Sequence, residues 1–282
     1  SEVGLRGTLA VSLYHVYLLT GSTARVGLVG VIQGAVLVVL SPVGGAIADR
    51  VDRRRLIQVS QSISLLASLL LGVVSLSGAV RPWHVYLAVL VNTVSSTFDA
   101  PARSALIPLL VPRAQVPRAF GLVTPTREAA LLLGPALGGL FVAVAGPGLM
   151  YSFDAATYAV LVLVFARLSV PPADRGGAQQ EIWPSIRQGA TYVRTRPLLL
   201  HFMALDLSTT ILAGWRVVLP ALVLERLQGG PELYGLLAAA PSAGALLGAA
   251  VLTRLGSRVL NGRVVLVATA LYGVACIMLA TS

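Results

Sequence analysis

Nine apolar segments recur along this 282-residue chain, at roughly 4–20, 25–48, 56–78, 83–104, 119–145, 148–168, 198–224, 233–254 and 263–281. Each approaches the length of about 20 residues that an α-helix needs to cross a bilayer. Turn chemistry separates them, at Thr20-Gly21-Ser22, Ser77-Gly78, Gly146-Pro147-Gly148 and Gly229-Gly230-Pro231. The first segment is the weakest, because Glu2 and Arg6 stand where an apolar run should already be established. The longest polar connector, about 170–197, holds Pro171, Pro172, Gly176 and Gly177. Within it Ile182, Ile186, Ala190 and Val193 share one helical face, which predicts a short helix on the membrane surface. The pattern predicts an all-α membrane protein with a helical bundle over 1–169, a connector over 170–197 and the start of a second bundle over 198–282.

Composition agrees with the pattern. The chain is 56% hydrophobic and 11% charged, against about a quarter charged in soluble domains. Its net charge of +10 lies in short loops between apolar spans and not on a soluble face, which argues against nucleic acid. All 21 basic residues are arginine, a bias attributed to GC-rich coding. The single cysteine, Cys276, has no disulfide partner within the chain, and no His/Cys cluster has metal-ligand spacing, so no metal or cofactor is expected. No cleavable signal peptide is expected.

Arginine placement sets the orientation. Loops after even-numbered segments carry fifteen arginines, among them Arg50, Arg53, Arg54, Arg55, Arg103 and Arg113; loops after odd-numbered segments carry three, Arg25, Arg81 and Arg226. This bias predicts that the even loops are cytoplasmic. The most charged of them packs two acids and four arginines into Asp49–Arg55. An internal repeat adds to the picture. Thr20–Gly27 is similar to Gln228–Gly235, and Gly44–Arg50 to Gly248–Arg254 with the acid lost. Two weakly similar helical halves joined by a long cytoplasmic connector is a layout that many secondary transporters share.

In the Asp49–Arg55 loop, Gly45, Asp49, Arg50, Arg53 and Arg54 resemble the major facilitator superfamily signature between its second and third helices; Asp52 stands where Gly is usual. The resemblance implies a conformational latch. Gly45 permits close helix contact, and Asp49 can face an Arg or a helix N-terminus of the other half. The alternative is a plain positive-inside anchor. In the fifth segment, Gly121, Ala130, Gly134, Pro135, Gly138 and Gly139 resemble the Gly-Pro-x-x-Gly-Gly motif of exporter branches, with Ala130 in place of a usual Gly. Ala130, Gly134 and Gly138 fall four apart on one face that lets another helix approach. Pro135 removes the hydrogen bond to the Leu131 carbonyl and should bend the helix. Ordinary small-residue packing explains the same glycines equally well.

Phe98–Pro112, Ser185–Arg194 and Leu219–Gln228 are similar to the branch of siderophore and macrolide efflux permeases, the transmembrane secretion effector family. The resemblance covers nearly the whole chain and implies a major facilitator fold. Members normally have twelve spans, so the chain reads as about nine of twelve, with the first clipped and the last three absent. Asp99 is expected to cap a segment opening at Ala100-Pro101 and to pair with Arg103 across one turn, with a role for the two in proton or substrate coupling as the alternative.

Ionisable groups inside spans are costly, at about 2.5–3.5 kcal/mol each on insertion scales, and should face a cavity or a partner. Arg127, Glu128, Asp154, Asp206 and Arg216 qualify. Glu128 and Asp206 are the leading candidate proton carriers, since a carboxyl held in a cavity can exchange a proton near neutrality. Structural pairing with Arg127 or Arg216 is the alternative. Asp154, near the outer end of its span, is expected to reach water. His15 is expected to be a satisfied interfacial histidine, and Trp83 and Trp183 to lie in the aromatic belt. Trp215 can line a cavity, though ordinary packing is favoured.

The reading is a secondary transporter, not an enzyme, in a bacterial inner membrane. It is expected to be monomeric and to export a small amphipathic molecule of drug, macrolide or siderophore type by proton antiport. An importer on the same fold and a non-transporting or inactive membrane fragment are the alternatives. The chain has no Gly-x-Ser-x-Gly, His-Glu-x-x-His or phosphate-cradling Gly-Lys-Ser/Thr sequence, which argues against a membrane enzyme and against ATP drive.

Overall fold

A computed structural model describes residues 1–168, 187, 191–212, 214–255 and 262–281. The architecture is helical, with no strand among the described residues. Six helices form the first half: α1 (Glu2–Thr20), α2 (Thr23–Arg50), α3 (Arg53–Leu76), α4 (Pro82–Leu110), α5 (Val116–Ala145) and α6 (Pro147–Arg167). The second half holds α7 (Pro197–Leu212), α8 (Trp215–Ala221), a π-helical turn over Leu222–Arg226, α9 (Pro231–Leu255) and α10 (Gly262–Thr281). A helix satisfies its own backbone groups, which is why long apolar runs in lipid take this form.

By length and apolarity alone, five stretches among the described residues can cross a membrane: Thr23–Gly44, Arg53–Leu76, Arg113–Ala145, Pro147–Arg167 and Pro231–Val251. The remaining expected spans are helical but are shorter or more polar. The expected seventh span is interrupted: Gly214 leaves the helix with φ −68° and ψ 35° before α8 begins. Glycine is a poor helix former, and Pro220 six residues on weakens the same stretch. Of the amphipathic connector face, Ile182, Ile186 and Ala190, with Trp183, lie outside the described residues; Val193 belongs to a helical stretch at 191–194.

Local chemistry fixes the turns. Gly21 ends α1 in the left-handed region at φ 59°, returning its N–H to the Tyr17 carbonyl at 2.8 Å. Asp52 accepts the Arg55 N–H at 3.1 Å and so caps α3, a local reason for an acid where the signature loop has glycine. Asp99 does not cap a new segment. Helix α4 runs unbroken through Asp99, Pro101 and Pro108, and Asp99 instead pairs with Arg103, Oδ2 to Nε 2.5 Å. The proline at 101 cannot donate to the Thr97 carbonyl. Helix α2 passes close to that carbonyl at Gly44, where a Cβ would stand 2.7 Å from the Thr97 oxygen.

Helix α1 is the centre of the molecule. It packs against α2, α4, α5 and α6 of its own half and α8 of the other, while α9 lies along α5. The larger of two buried apolar clusters spans both halves. Val11, Tyr14, Val89, Met150 and Tyr151 from the first half meet Leu219, Val223 and Tyr234 from the second.

Candidate functional site

The glycine-rich face of α5 places two helices. A Cβ on Gly134 would lie 2.8 Å from the Gly7 nitrogen and 2.9 Å from the Val3 carbonyl, and one on Gly138 would lie 2.9 Å from Val11. Helix α1 therefore rests directly on this face. One residue round the helix, Gly139 faces α9: its Cβ would be 2.8 Å from the Gly235 Cα, and the reverse contact is equally close. Pro135 contributes its carbonyl to the same crossing, 2.7 Å from where a Gly235 Cβ would be. Small residues let backbones approach where no water-driven hydrophobic force exists between helices. Gly121 is exposed with nothing close to it, and Ala130 is buried.

The two halves touch at the end of the bundle away from the Asp49–Arg55 loop. Tyr17 donates a short hydrogen bond to Glu225 Oε1, Tyr234 donates to the Ala10 carbonyl at 2.7 Å, and the Tyr14 and Tyr234 rings stand 4.9 Å apart. Toward the loop end, the second part of α2, the first part of α5 and the second part of α9 are largely uncovered; Val38 is 78% exposed and Leu247 69%.

Between the closed end and the open end lies a cavity of about 110 Å³, walled by α1, α2 and α5 on one side and α8 and α9 on the other. Its polar lining is Arg6, Gln33, Arg216 and Tyr234; Leu131, Pro135 and Trp215 are among its apolar walls. Trp215 thus lines a cavity, with the Arg216 guanidinium 5.4 Å from its ring centroid. Arg6 is within electrostatic range of Arg127, Glu128 and Arg216, and pairs loosely with Glu2 at 3.7 Å. Arg127 is exposed and Glu128 half-buried on the part of α5 that precedes the glycines. Asp206 is on an exposed face of α7, away from this lining. A larger hollow, about 470 Å³, lies on the α3–α4 outer face among Leu66, Leu70, Trp83 and Leu87, where exposed apolar residues suit lipid chains.

Asp154 departs from expectation. It is fully buried, not water-reaching, and accepts from Ser68 Oγ at 3.0 Å. Ser68 in turn accepts from Asn92 Nδ2 at 3.3 Å, and Thr8 and Gly4 of α1 border the carboxyl. His15 is likewise buried and has a partner, with Nδ1 3.1 Å from the Tyr151 hydroxyl. In the signature loop, Arg54 donates to the Phe165 and Ala166 carbonyls at 2.7 and 2.6 Å, and Arg53 to the Ala105 carbonyl at 3.1 Å. These bonds tie α3 to the C-terminal end of α6 and to α4 within one half. The surroundings of Gly45 and the side chains of Asp49 and Arg50 lie outside the described residues.

The sequence reading missed Gln33, Tyr17, Tyr234 and Glu225, and it took Arg6 as a sign of a clipped span. The available signal was that Arg6, like Arg127 and Arg216, is an arginine that the loops leave inside a span.

Stacked apolar helices in two parts, a polar-rimmed cavity between them and a charged loop at one end are those of a multi-pass helical membrane protein. The transmembrane secretion effector family model matches residues 2–282, and the chain belongs to that family, an exporter branch of the major facilitator superfamily. It is 28% identical over 267 residues to the enterobactin exporter EntS of Salmonella choleraesuis, covering 93% of this chain and 63% of the relative. The EntS proteins of Citrobacter koseri and Escherichia coli O1:K1 are each 26% identical over 265 residues, with the same coverage. The chain therefore spans about 63% of the length of these curated relatives.

Proposed function

We propose that this chain works in a secondary exporter of the bacterial inner membrane, moving a small amphipathic molecule outward by alternating access driven by inward proton flow. The observation that carries this reading is the cavity between the halves, sealed at one end by Tyr17–Glu225, Tyr234–Ala10 and Gly139–Gly235 and uncovered toward the other. With the arginine-rich loops on the cytoplasmic side, those sealing contacts lie at the outer end. The relatives' printed names support export as the direction. The Asp49–Arg55 loop is the latch of the cytoplasmic end, and the α5 glycines are the surface on which α1 and α9 bear.

Glu128 is the leading proton carrier. It is the candidate carboxyl within the electrostatic field of a cavity arginine, so its charge state would bear on substrate held there. Asp206 and Asp154 remain candidates.

The test is proton-coupled efflux in vesicles. An imposed proton gradient should drive a fluorescent amphipathic substrate outward, and collapsing the gradient should stop it. In Glu128→Gln, whose amide cannot carry the proton, release on substrate addition should fall by at least about tenfold. Native proton release from that variant would remove Glu128 as carrier, and efflux indifferent to the gradient would remove proton drive.

A further inference from the structure

Resting on the export reading, we propose that the cavity between the halves is selective for anions: it seats the negatively charged head of the substrate, a carboxylate, sulfonate, phosphate or ionised phenol, on Arg6 and Arg216. The first support is charge. Of the 21 arginines, the loop assignment leaves three inside spans, Arg6, Arg127 and Arg216. The fold brings these three together from α1, α5 and α8, chain positions up to 210 residues apart. Arginines inside a span are costly unless they face a cavity or a partner, and here Arg6 is half-buried while Arg127 and Arg216 are exposed beside it. Among the described residues that line the cavity there is no carboxylate. Among the described residues, Glu2 is the one acid bridged to Arg6, at a loose 3.7 Å, and none is bridged to Arg127 or Arg216.

The second support is an unused donor. Arg6 Nε is buried and makes no hydrogen bond, which costs about 1–3 kcal/mol for an ordinary polar group and more for a charged one. An anion in the cavity would satisfy it, and a guanidinium is suited to binding a planar or tetrahedral oxyanion by two parallel bonds. Gln33 supplies a further amide donor from α2. The third support is size. At about 110 Å³ the cavity falls below the roughly 300–1,000 Å³ that hold a drug-sized ligand. In this state it fits a head group, with the apolar remainder directed along Leu131 and Trp215.

Three fluorescent probes separate the outcomes on the protein in lipid nanodiscs: 1-anilinonaphthalene-8-sulfonate, its neutral parent N-phenyl-1-naphthylamine, and the cation ethidium. The sulfonate should bind about tenfold or more tighter than the neutral parent, and ethidium least. Arg216→Gln, at an exposed position, should weaken sulfonate binding about tenfold and leave the neutral probe within about twofold. Arg6→Lys should keep a preference for the sulfonate over the neutral probe but bind it more weakly, because an ammonium cannot make the two parallel bonds, and Arg6→Gln should lose the preference. Equal losses for both probes, or tighter binding of ethidium by the native protein, would overturn the anion site. Charge-selective binding without efflux of any probe would instead overturn export and leave the site standing. Efflux of ethidium with no anion preference would do the reverse.

Discussion

Asp154 has hydroxyls and an amide around it where a buried carboxyl would ordinarily have a cation. Ser68 donates to it and relays Asn92, so three helices, α3, α4 and α6, meet through one acceptor. Removing the acceptor strands buried donors at about 1–3 kcal/mol each, whereas an amide of the same shape keeps an acceptor for Ser68. Asp154→Leu should therefore lower the apparent melting temperature of the detergent-solubilised protein by at least about 3 °C, and Asp154→Asn should leave it within about 1 °C. A leucine variant as stable as the native protein would show the network to be dispensable. Because the asparagine variant should stay folded, it also isolates any part that Asp154 plays in coupling. Sequence alone identified the carboxyl but misplaced it. Position along a span gives depth in the membrane, and depth near an outer end suggests water; burial depends on which helices cover that depth, here α1 at Gly4 and Thr8.

At the scale of elements, close helix approach is written in small residues, and the sequence shows one side of each contact only. The face of Ala130, Gly134 and Gly138 was legible because its members recur every four residues on one helix. Its partner Gly7 on α1, and Gly235 on α9 opposite the neighbouring Gly139, carry no such spacing, and Gly235 is 96 residues beyond Gly139. The apolar segments themselves were legible because a bilayer demands length and apolarity together. The break at Gly214 was not, since a single glycine within an apolar run is also tolerated in unbroken helices. The Gly139–Gly235 crossing makes a sharp prediction. A side chain there must displace backbone, an overpacking cost of about 1–3 kcal/mol, which would open the sealed end. In a Cys276→Ser background, Gly235→Val should raise labelling of Ala10→Cys by a membrane-impermeant maleimide, added from the side of Thr20, at least about threefold. Unchanged labelling would mean that the crossing does not govern that end.

For the whole molecule, the contacts that matter most join chain positions 208 and 224 residues apart, Tyr17 with Glu225 and Ala10 with Tyr234. Periodicity cannot report such pairs, because neither partner's own segment needs the other to form. The internal repeat came nearest: it aligned Gly235 with Gly27 and so placed both at the start of the second helix of a half, α2 and α9. These contacts gather at one end while the signature loop occupies the other, so under the alternating-access proposal rocking about the cavity would break the first set as the loop end closed. A net hydrogen bond of this kind contributes only about 0.5–1.5 kcal/mol. A few such bonds are therefore strong enough to define a state and weak enough for substrate or proton binding to reverse it. Fixing that end should consequently stop transport without harming the fold. A cleavable bismaleimide joining Tyr17→Cys to Glu225→Cys, again with Cys276→Ser, should abolish efflux, and reducing the linker should restore it. Binding of the sulfonate probe should persist in the cross-linked protein, because the cross-link leaves the other end uncovered. Efflux that continued through the cross-link would exclude opening between α1 and the turn after α8 as a step in the cycle.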